Sequence, residues 1–331
     1  MSTKVEQPLS VNGHYRYDDV VGLLSAGEAG FSNPSAIALG PEDLLYVANR
    51  ANAKQQEALR VTICTKDGDY VDQFSGWGEE EGQFIWVTDI EFNQDGDLFL
   101  SDEHAHRISV FNQHGIFQRC FGQQGDGNGS FDRPSGIAFA PNGDLYVVDA
   151  LNHRVQRLSQ QGRFQAAWGS FGSAEGQFNM PWGVAVDGKG DVFVTDWRND
   201  RVQKFDEGGR FLSTFGSSGS GDGEFNRPNG ITVDGDGDIY VCDWLNDRVQ
   251  VFESHGSHKD TLIGQSGVSK WARTYLNANP DVEEKLDQAT QNIEPKKRFY
   301  RPVSVKVDQQ ARVFVTDCYR HRVQIYQKLS P

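Results

Sequence analysis

The stretch Phe178-Asn-Met-Pro181-Trp-Gly183-Val-Ala-Val-Asp187 opens the clearest copy of a unit that recurs along this 331-residue chain. The copy continues through Gly190-Asp-Val-Phe-Val-Thr-Asp196 and Asn199-Asp-Arg-Val-Gln-Lys-Phe205, and it closes on Phe211-Leu-Ser-Thr-Phe-Gly216. Short apolar runs alternate with turns rich in glycine, asparagine and aspartate, which is typical of antiparallel strands joined by tight turns. Each copy therefore predicts a small four-stranded sheet.

Six copies are recognised by the phenylalanine that opens each of them. These residues are Phe31, Phe84, Phe131, Phe178, Phe225 and Phe299, spaced by 53, 47, 47, 47 and 74 residues. A period of about 40 to 50 residues built of short strands indicates a β-propeller. A lone four-stranded sheet must bury both faces against neighbours. We therefore expect an all-β fold, a six-bladed β-propeller of four-stranded antiparallel blades.

The last copy stops after three predicted strands, and the N-terminus offers the fourth. Tyr15–Gly22 resembles the outer strands Phe164–Gly169 and Phe211–Gly216 of other copies. We expect this segment to complete the sixth blade and close the ring, because closure removes exposed strand edges. The predicted organisation is an N-terminal tail at 1–14 and a single propeller domain at 15–331.

One segment of each later copy resembles the signature of the NHL-repeat family, named for its Asn-His-Leu motif. The matching segments are Asn152-His-Arg-Val155, Asn199-Asp-Arg-Val202, Asn246-Asp-Arg-Val249 and Arg320-His-Arg-Val323. The resemblance covers roughly residues 15 to 327 and implies the propeller fold. It implies little about function, since this scaffold hosts many unrelated activities.

Charge and hydropathy limit the classes of partner that the chain is expected to bind. Some animal NHL propellers bind RNA through a basic face, but this chain has a formal net charge of −14 and a pI of about 5.0. An acidic surface repels phosphates and anionic lipid, so we expect no nucleic-acid or membrane partner. No apolar run approaches the roughly 20 residues that span a bilayer, and the first residues contain no apolar signal core. We expect a cytoplasmic monomer.

A repeated charged pair is interpreted as scaffold. Five predicted second strands end in aspartate, and an arginine follows five residues later. The pairs are Asp102/Arg107, Asp149/Arg154, Asp196/Arg201, Asp243/Arg248 and Asp317/Arg322. Because the pair recurs in nearly every copy, it is expected to tie loops together rather than to form a binding site.

Function is better sought where the copies differ, and two insertions stand out. The loop of the first blade at Asn49–Leu59 is seven residues longer than its counterpart after Asp149. About 27 extra residues separate the fifth and sixth copies, with Val282, Leu286, Ala289 and Ile293 at helical spacing. We expect a helical insert at about 268–298. Strand order places both insertions on one face of the ring, at the mouth of the central channel, as a packed cap or as the wall of a binding site.

Aromatic and polar side chains are predicted at the same mouth. The candidate binding residues are Trp86, Trp182, Trp197, Arg198, Trp244, Trp271, Tyr275 and Arg50, and the candidate catalytic residues are Asp89, His104 and Tyr319. An apolar cavity with a few polar groups suits a ligand site. Indole rings packed against the insert would give the same pattern.

A more distant resemblance is to the propellers of peptidyl-hydroxyglycine amidating lyases. Asp317-Cys318-Tyr319 is similar to the lyase segment that carries a catalytic tyrosine, which implies a role for Tyr319. Those enzymes hold zinc with histidines directly after the residue that begins an inner strand, but the matching places here contain no histidine. They are Ser35, Thr88, Ser135, Trp182, Asn229 and Val303. We therefore expect no bound metal and no cofactor.

Two functions remain open from the sequence. The favoured hypothesis is a module that binds a protein, a peptide or a small molecule through its decorated face, because rigid disks with exposed aromatic residues suit docking. The alternative is an enzyme, a lyase or hydrolase, acting on a small and mostly apolar substrate at the channel mouth.

Overall fold

The computed structural model describes residues 10–25, 29–50, 56–74, 76–282 and 294–329. Six four-stranded antiparallel sheets follow one another around a central channel. In blades 1 to 5 the strands pair in chain order from the channel outwards, and the first strand of each blade contacts the first strand of the next. The first strand of blade 6 contacts that of blade 1, so the six-bladed ring predicted from the repeat is confirmed.

Five blades are continuous in sequence. Blade 1 consists of β2 (Pro34–Leu39), β3 (Leu44–Asn49), β4 (Arg60–Thr65) and β5 (Tyr70–Phe74). Blade 2 consists of β6 (Val87–Phe92), β7 (Leu98–Asp102), β8 (Arg107–Phe111) and β9 (Phe117–Phe121). Blade 3 consists of β10 (Pro134–Phe139), β11 (Leu145–Asp149), β12 (Arg154–Leu158) and β13 (Phe164–Trp168). Blade 4 consists of β14 (Pro181–Val186), β15 (Val192–Asp196), β16 (Arg201–Phe205) and β17 (Phe211–Phe215). After the short parallel pair β18 (Ser217–Ser218) and β19 (Glu224–Phe225), blade 5 consists of β20 (Pro228–Val233), β21 (Ile239–Asp243), β22 (Arg248–Phe252) and β23 (His258–Leu262).

Blade 6 joins the two ends of the chain. Its strands are β24 (Pro302–Val307), β25 (Arg312–Asp317), β26 (Arg322–Lys328) and, on the outside, β1 (Tyr15–Val21). The register runs from Tyr15 opposite Lys328 to Val21 opposite Val323. The rings of Tyr15 and Tyr17 are buried against blades 5 and 6, and the Tyr15 and Tyr240 hydroxyls lie 3.0 Å apart. The predicted closure by an N-terminal strand is therefore confirmed.

Helical structure is sparse. The α-helices with described bounds are α1 (Lys270–Ala278) and α2 (Glu294–Lys297). The short 3₁₀ helices are Pro41–Asp43, Gln56–Ala58, Ala150–Asn152, Trp244–Asn246 and Cys318–Arg320. Leu286, Ala289 and Ile293, three of the four residues of the predicted apolar helix face, lie outside the described residues.

The inner strands pack so closely that one position favours glycine. A Cβ atom on Gly183 would lie 2.4 Å from the carbonyl oxygen of Asn229, and one on Gly230 would lie 2.5 Å from that of Val303. Such distances are far below a normal carbon–oxygen contact. Blade 2 carries Asp89 at the equivalent position, which marks a change in the channel lining.

The repeated Asp–Arg pair ties loops together, as predicted, in four of its five occurrences. Asp149 accepts hydrogen bonds from the backbone amide of Asp132 and from Arg154 Nε, while Arg154 Nη2 donates to the carbonyl of Gly127. Blades 4, 5 and 6 repeat the ion pair at 2.8 to 2.9 Å. In blade 2, Arg107 donates only to carbonyl oxygens, and Asp102 instead accepts four backbone amides.

A second repeated link joins blades 2 to 6 each to the next blade. Three histidines accept a backbone amide through Nδ1: His106 from Arg133, His153 from Met180 and His321 from Asn33. Asp200 and Asp247 accept the equivalent bonds in blades 4 and 5. The residue at this position is therefore selected as an acceptor, and a histidine serves only while its ring is neutral.

Candidate functional site

A cavity of about 410 Å³ opens at the face where the second strand of each blade ends, here called the top face. Its walls come mainly from two repeated positions, the second residue of the inner strands and the residues that follow the second strands. These are the positions that the repeat predicted to share a face. The cavity has an aromatic half and a polar half.

Blades 4, 5 and 6 supply the aromatic half. Trp182, Trp197 and Trp244 form an arc, with ring centroids 6.4 and 6.2 Å apart and successive planes tilted by 38° and 39°. Trp197 and Trp244 directly follow the buried carboxylates that end β15 and β21. Tied loops thus hold the rings in place. Val303, Cys318 and Tyr319 of blade 6 complete this half.

Guanidinium groups cover several of these rings. Arg198 and Arg227 lie 5.7 and 4.9 Å from the Trp197 centroid, and Arg301 lies 5.3 Å from that of Trp244. These distances fall within the range of cation–π attraction. The aromatic arc is therefore cationic at its edge.

Blades 1 and 2 supply the polar half, which consists of Asn33, Ser35, Arg50 and Thr88. Arg50 Nε donates to the carbonyl of Val87 at 3.0 Å, and Arg50 Nη2 donates to Glu103 at 3.1 Å. These two bonds cross from blade 1 to blade 2 and fix the guanidinium. Asn229 of blade 5 lies at the floor of the cavity.

Beneath the floor the channel narrows to a neck of about 20 Å³ that contains Asp89 and Lys306. Asp89 accepts hydrogen bonds from the amides of Ile90 and Ile137. Burial raises the pKa of Asp89 to about 6, against the opposing effect of Lys306. Burial lowers the pKa of Lys306, but Glu91 and Asp89 together outweigh it, so that the pKa of Lys306 is raised. The neck therefore holds a cation between two acidic groups.

The channel widens again at the opposite face into a second cavity of about 520 Å³. Its charged lining includes Lys66, which pairs with Asp43 at 2.7 Å and with Asp308 at 3.1 Å. Both lysines of this lower cavity are thus engaged by carboxylates, since Lys306 pairs with Glu91.

The structure brings together five of the predicted site residues and separates the others. Trp182, Trp197, Trp244, Arg50 and Tyr319 line the top cavity, and Arg198 stacks on one of the rings. Asp89 lies below, in the neck. His104 lies outside the cavity lining, where Nε2 is 3.1 Å from Glu79 and the ring contacts Trp86. The three candidate catalytic residues therefore do not converge.

From sequence the insert was predicted to be a packed cap or the wall of a binding site, and its described residues are not part of the cavity lining. Trp271 is 9% exposed and packs against Phe31 at the junction of blades 6 and 1, with centroids 5.3 Å apart. Blades 1 to 4 end their outer strands in a phenylalanine or tryptophan, whereas β1 ends in Val21. Trp271 fills the space that this smaller side chain leaves. Tyr275 is exposed on α1.

Several residues of the site were missed from sequence. Lys306 and Glu91 occupy the fifth place of their inner strands, where other blades carry Ala38, Ala138, Ala185 and Thr232. The signal in the sequence was the presence of two opposite charges at a position that is otherwise occupied by small residues, which indicates an ion pair in the channel. Arg227 and Arg301 gave no such signal, because their stacking on the tryptophans arises only from the fold.

Two further observations concern metals and membranes. Among the described residues, no three histidine, cysteine, aspartate or glutamate side chains are grouped so that they could hold a metal ion. None of the described helices combines the length and apolarity that a bilayer span requires.

Comparison with known proteins supports the family resemblance. The NHL-repeat profile matches residues 131–158, 178–205, 225–252 and 299–326. No curated protein sequence matches the chain significantly.

Several solved structures are similar in fold. Virginiamycin B lyase from Staphylococcus aureus is 13% identical with a TM-score of 0.59, and the match covers 93% of this chain and 84% of that chain. XC5397 from Xanthomonas campestris, described as a gluconolactonase, is 14% identical with a TM-score of 0.64, over 98% of this chain and 95% of that one. The WD40 propeller domain of Doa1 is 12% identical with a TM-score of 0.58, over 97% and 88%.

At such identities these likenesses concern the fold alone. The match of four segments to the NHL repeat is the more specific evidence of relationship. The chain is therefore a six-bladed β-propeller that contains NHL repeats.

Proposed function

We propose that the top cavity is a binding site and that the protein is a binding module. The observation that carries this proposal is the arc of Trp182, Trp197 and Trp244 around a cavity of about 410 Å³. Cavities of a few hundred cubic ångströms with apolar walls and few polar groups are typical of ligand sites. Tryptophan and arginine together dominate binding hot spots.

The exposure of the rim favours a peptide or protein partner that inserts a side chain. Tyr319 is 49% exposed and Tyr300 is 42% exposed, with their rings 5.3 Å apart. Large aromatic side chains on a surface bury much area at little cost in conformational entropy when a partner covers them. The blade sheets behind them are rigid, so little order must be gained on binding.

An enzymatic role is the second candidate, and Asp89 is the observation that favours it. A carboxyl group whose burial raises its pKa to about 6 beside a lysine is poised for proton transfer near neutral pH. The fold is also shared with virginiamycin B lyase and with a gluconolactonase. Asp89 lies in the neck, however, and Tyr319 on the far wall of the cavity above it, so binding is the better-supported function.

The proposal is tested by selecting random peptides displayed on phage against the immobilised full chain. Selected peptides are then titrated against the wild type and two variants by calorimetry. Trp197→Ala is expected to weaken binding about tenfold or more, because it removes the central ring of the arc. Trp86→Ala is the matched control on the same face, outside the cavity lining. Peptides that bind all three proteins equally, or no enriched peptides at all, would overturn the proposal.

A further inference from the structure

We infer that the top cavity recognises an aromatic group that carries a carboxylate. This inference rests on the proposed function and specifies its ligand. The required chemistry is a planar ring joined by a short link to one carboxylate, as in the C-terminus of a peptide that ends in an aromatic residue or in a free arylalkanoic acid.

The cavity is divided into two unlike halves. Lining residues from blades 4 to 6 are mainly aromatic or apolar, while those from blades 1 and 2 are polar and include Arg50. A ligand that spans the cavity must therefore present an apolar group to one side and a polar group to the other. A purely apolar ligand would cover the Nη1 group of Arg50 without offering it an acceptor, which is costly.

The guanidinium of Arg50 is only partly engaged by the protein. Its Nε and Nη2 atoms are engaged by Val87 and Glu103, and no described residue pairs with Nη1. The Arg50 side chain is 33% exposed, whereas that of Glu103 is 10% exposed. The charge of Arg50 also reaches the neighbouring blade 6, where it opposes the effect of burial on the pKa of Cys318. A fixed guanidinium with one unpaired nitrogen is a ready donor to a carboxylate oxygen.

Positive charge is in local excess around the cavity, although the protein as a whole is acidic. Five arginines lie at or near the cavity. Arg50 lines it, and Arg133 pairs with Glu103, the acidic partner of Arg50. The tryptophans of the lining are contacted by Arg198, Arg227 and Arg301. In the described part of the chain, the carboxylate partners of the five arginines are Glu103, Asp200 and Asp247. Glu103 serves both Arg50 and Arg133. The whole chain has a net charge of −14, so the cationic cavity repels amines and attracts anions locally.

A carboxylate fits this arrangement better than a phosphate. One nitrogen of one fixed guanidinium is available, together with the side-chain amide of Asn229, whereas the hydroxyls of Ser35 and Thr88 already donate to backbone carbonyl oxygens. A phosphate dianion needs several donors to replace its water, whereas a carboxylate needs fewer. Phenyl phosphate is therefore an informative competitor.

The test compares N-acetyl-L-phenylalanine with its neutral amide, N-acetyl-L-phenylalaninamide, on the full chain at low salt. The phenyl probes absorb little where tryptophan is excited, so quenching of the protein's own fluorescence reports occupancy. We expect the acid to bind about tenfold more tightly than the amide, the difference that one charge-assisted hydrogen bond supplies. Arg50→Gln should abolish this preference and leave the affinity for the amide within about twofold. Trp197→Ala should weaken both probes, and Arg210→Gln, a charge removed from an exposed turn, should change neither.

The outcomes separate the inference from the proposed function. Equal binding of acid and amide, tighter binding of phenyl phosphate, or an unchanged preference in Arg50→Gln would overturn the carboxylate assignment while leaving a binding cavity. Failure of both probes to bind at millimolar concentration would also overturn it, even if selected peptides still bound through Trp197. A six-residue peptide with a C-terminal phenylalanine distinguishes the sources, since a peptide partner predicts a further gain in affinity over the acetylated amino acid.

Discussion

The ammonium group of Lys306 in blade 6 forms an ion pair with the carboxylate of Glu91 in blade 2. These blades are not neighbours, because blade 1 lies between them and carries the small Ala38 at the equivalent place. The pair therefore reaches over blade 1 and lies where the neck meets the lower cavity. Their side chains are 15% and 28% exposed, so the pair is shielded from water.

Lys306→Met is expected to destabilise the protein by about 1 to 3 kcal/mol, because it leaves Glu91 and Asp89 close together without their cation. The penalty should shrink as the pH falls towards about 6, because loss of Lys306 raises the pKa of Asp89 further and the protonated carboxyl no longer repels Glu91. Urea-induced unfolding at pH 7.5 and pH 5.5 measures both effects. Adding Glu91→Gln should recover part of the loss. Arg210→Met, at an exposed ion pair, should cost less than about 0.5 kcal/mol; an equal cost there would contradict a special role for Lys306.

The links made by His153 and His321 predict that the protein loses stability as the pH falls. This is opposite in sign to the effect expected for the Lys306→Met variant, whose penalty shrinks as the pH falls. Burial lowers the pKa of both His153 and His321, so the folded protein favours their neutral forms. Stability from these links is fully present above the unfolded-state pKa of about 6.5 and is lost as the pH falls below it. Loss of each accepted hydrogen bond costs on the order of 1 kcal/mol.

The variant His153→Asp/His321→Asp copies the aspartates of blades 4 and 5 and should lose less stability than the wild type between pH 7.5 and 5.5. His114→Asp, on an exposed turn, controls for the change in charge. Parallel pH profiles for the wild type and the double variant would show that protonation of these links does not affect the fold.

Trp271→Ala should lower stability by about 3 kcal/mol, since a large ring is removed from the core between blades 6 and 1. Binding at the top cavity should be unchanged, because the described part of the insert lies away from it. Tyr275→Ala, on the exposed side of the same helix, should alter neither property. A variant of Trp271 that remains stable but loses binding would place the insert in the site after all.

Deletion of residues 1–22 removes the whole of β1 and should lower the thermal midpoint strongly or prevent folding. The strand contributes a full backbone ladder to β26 and the buried rings of Tyr15 and Tyr17. Deletion of residues 1–8 is the control and should have little effect. If both truncated proteins melted like the full chain, closure by β1 would not hold the ring together.

Much of the fold and of the top cavity could be predicted from the sequence, because equivalent positions of a repeat occupy equivalent places in successive blades. Trp182, Trp197, Trp244 and Arg50 were predicted to share a face, since equivalent positions of successive blades must lie around one channel. The order of the strands was sufficient for this inference, and no knowledge of side-chain packing was needed.

The remaining features depend on side-chain contacts that cannot be read from the spacing of the repeats. Trp271 packs where it does because β1 ends in Val21, some 250 residues earlier in the chain. Lys306 meets Glu91 only because the ring brings blades 6 and 2 within reach over Ala38. His104 shares the face of the cavity but turns to Glu79 and Trp86, an orientation set by a local loop and not by the repeat.

The claim that the top cavity is the working site is tested most directly by the indole N–H signals in a nitrogen–proton NMR spectrum. The chain has seven tryptophans, and three of them line the cavity. On titration with a peptide selected in the display experiment, the signals of Trp182, Trp197 and Trp244 should shift. Those of Trp77, Trp86, Trp168 and Trp271 should stay in place. Binding that shifts the second group and leaves the first unchanged would contradict the account and place the site elsewhere on the propeller.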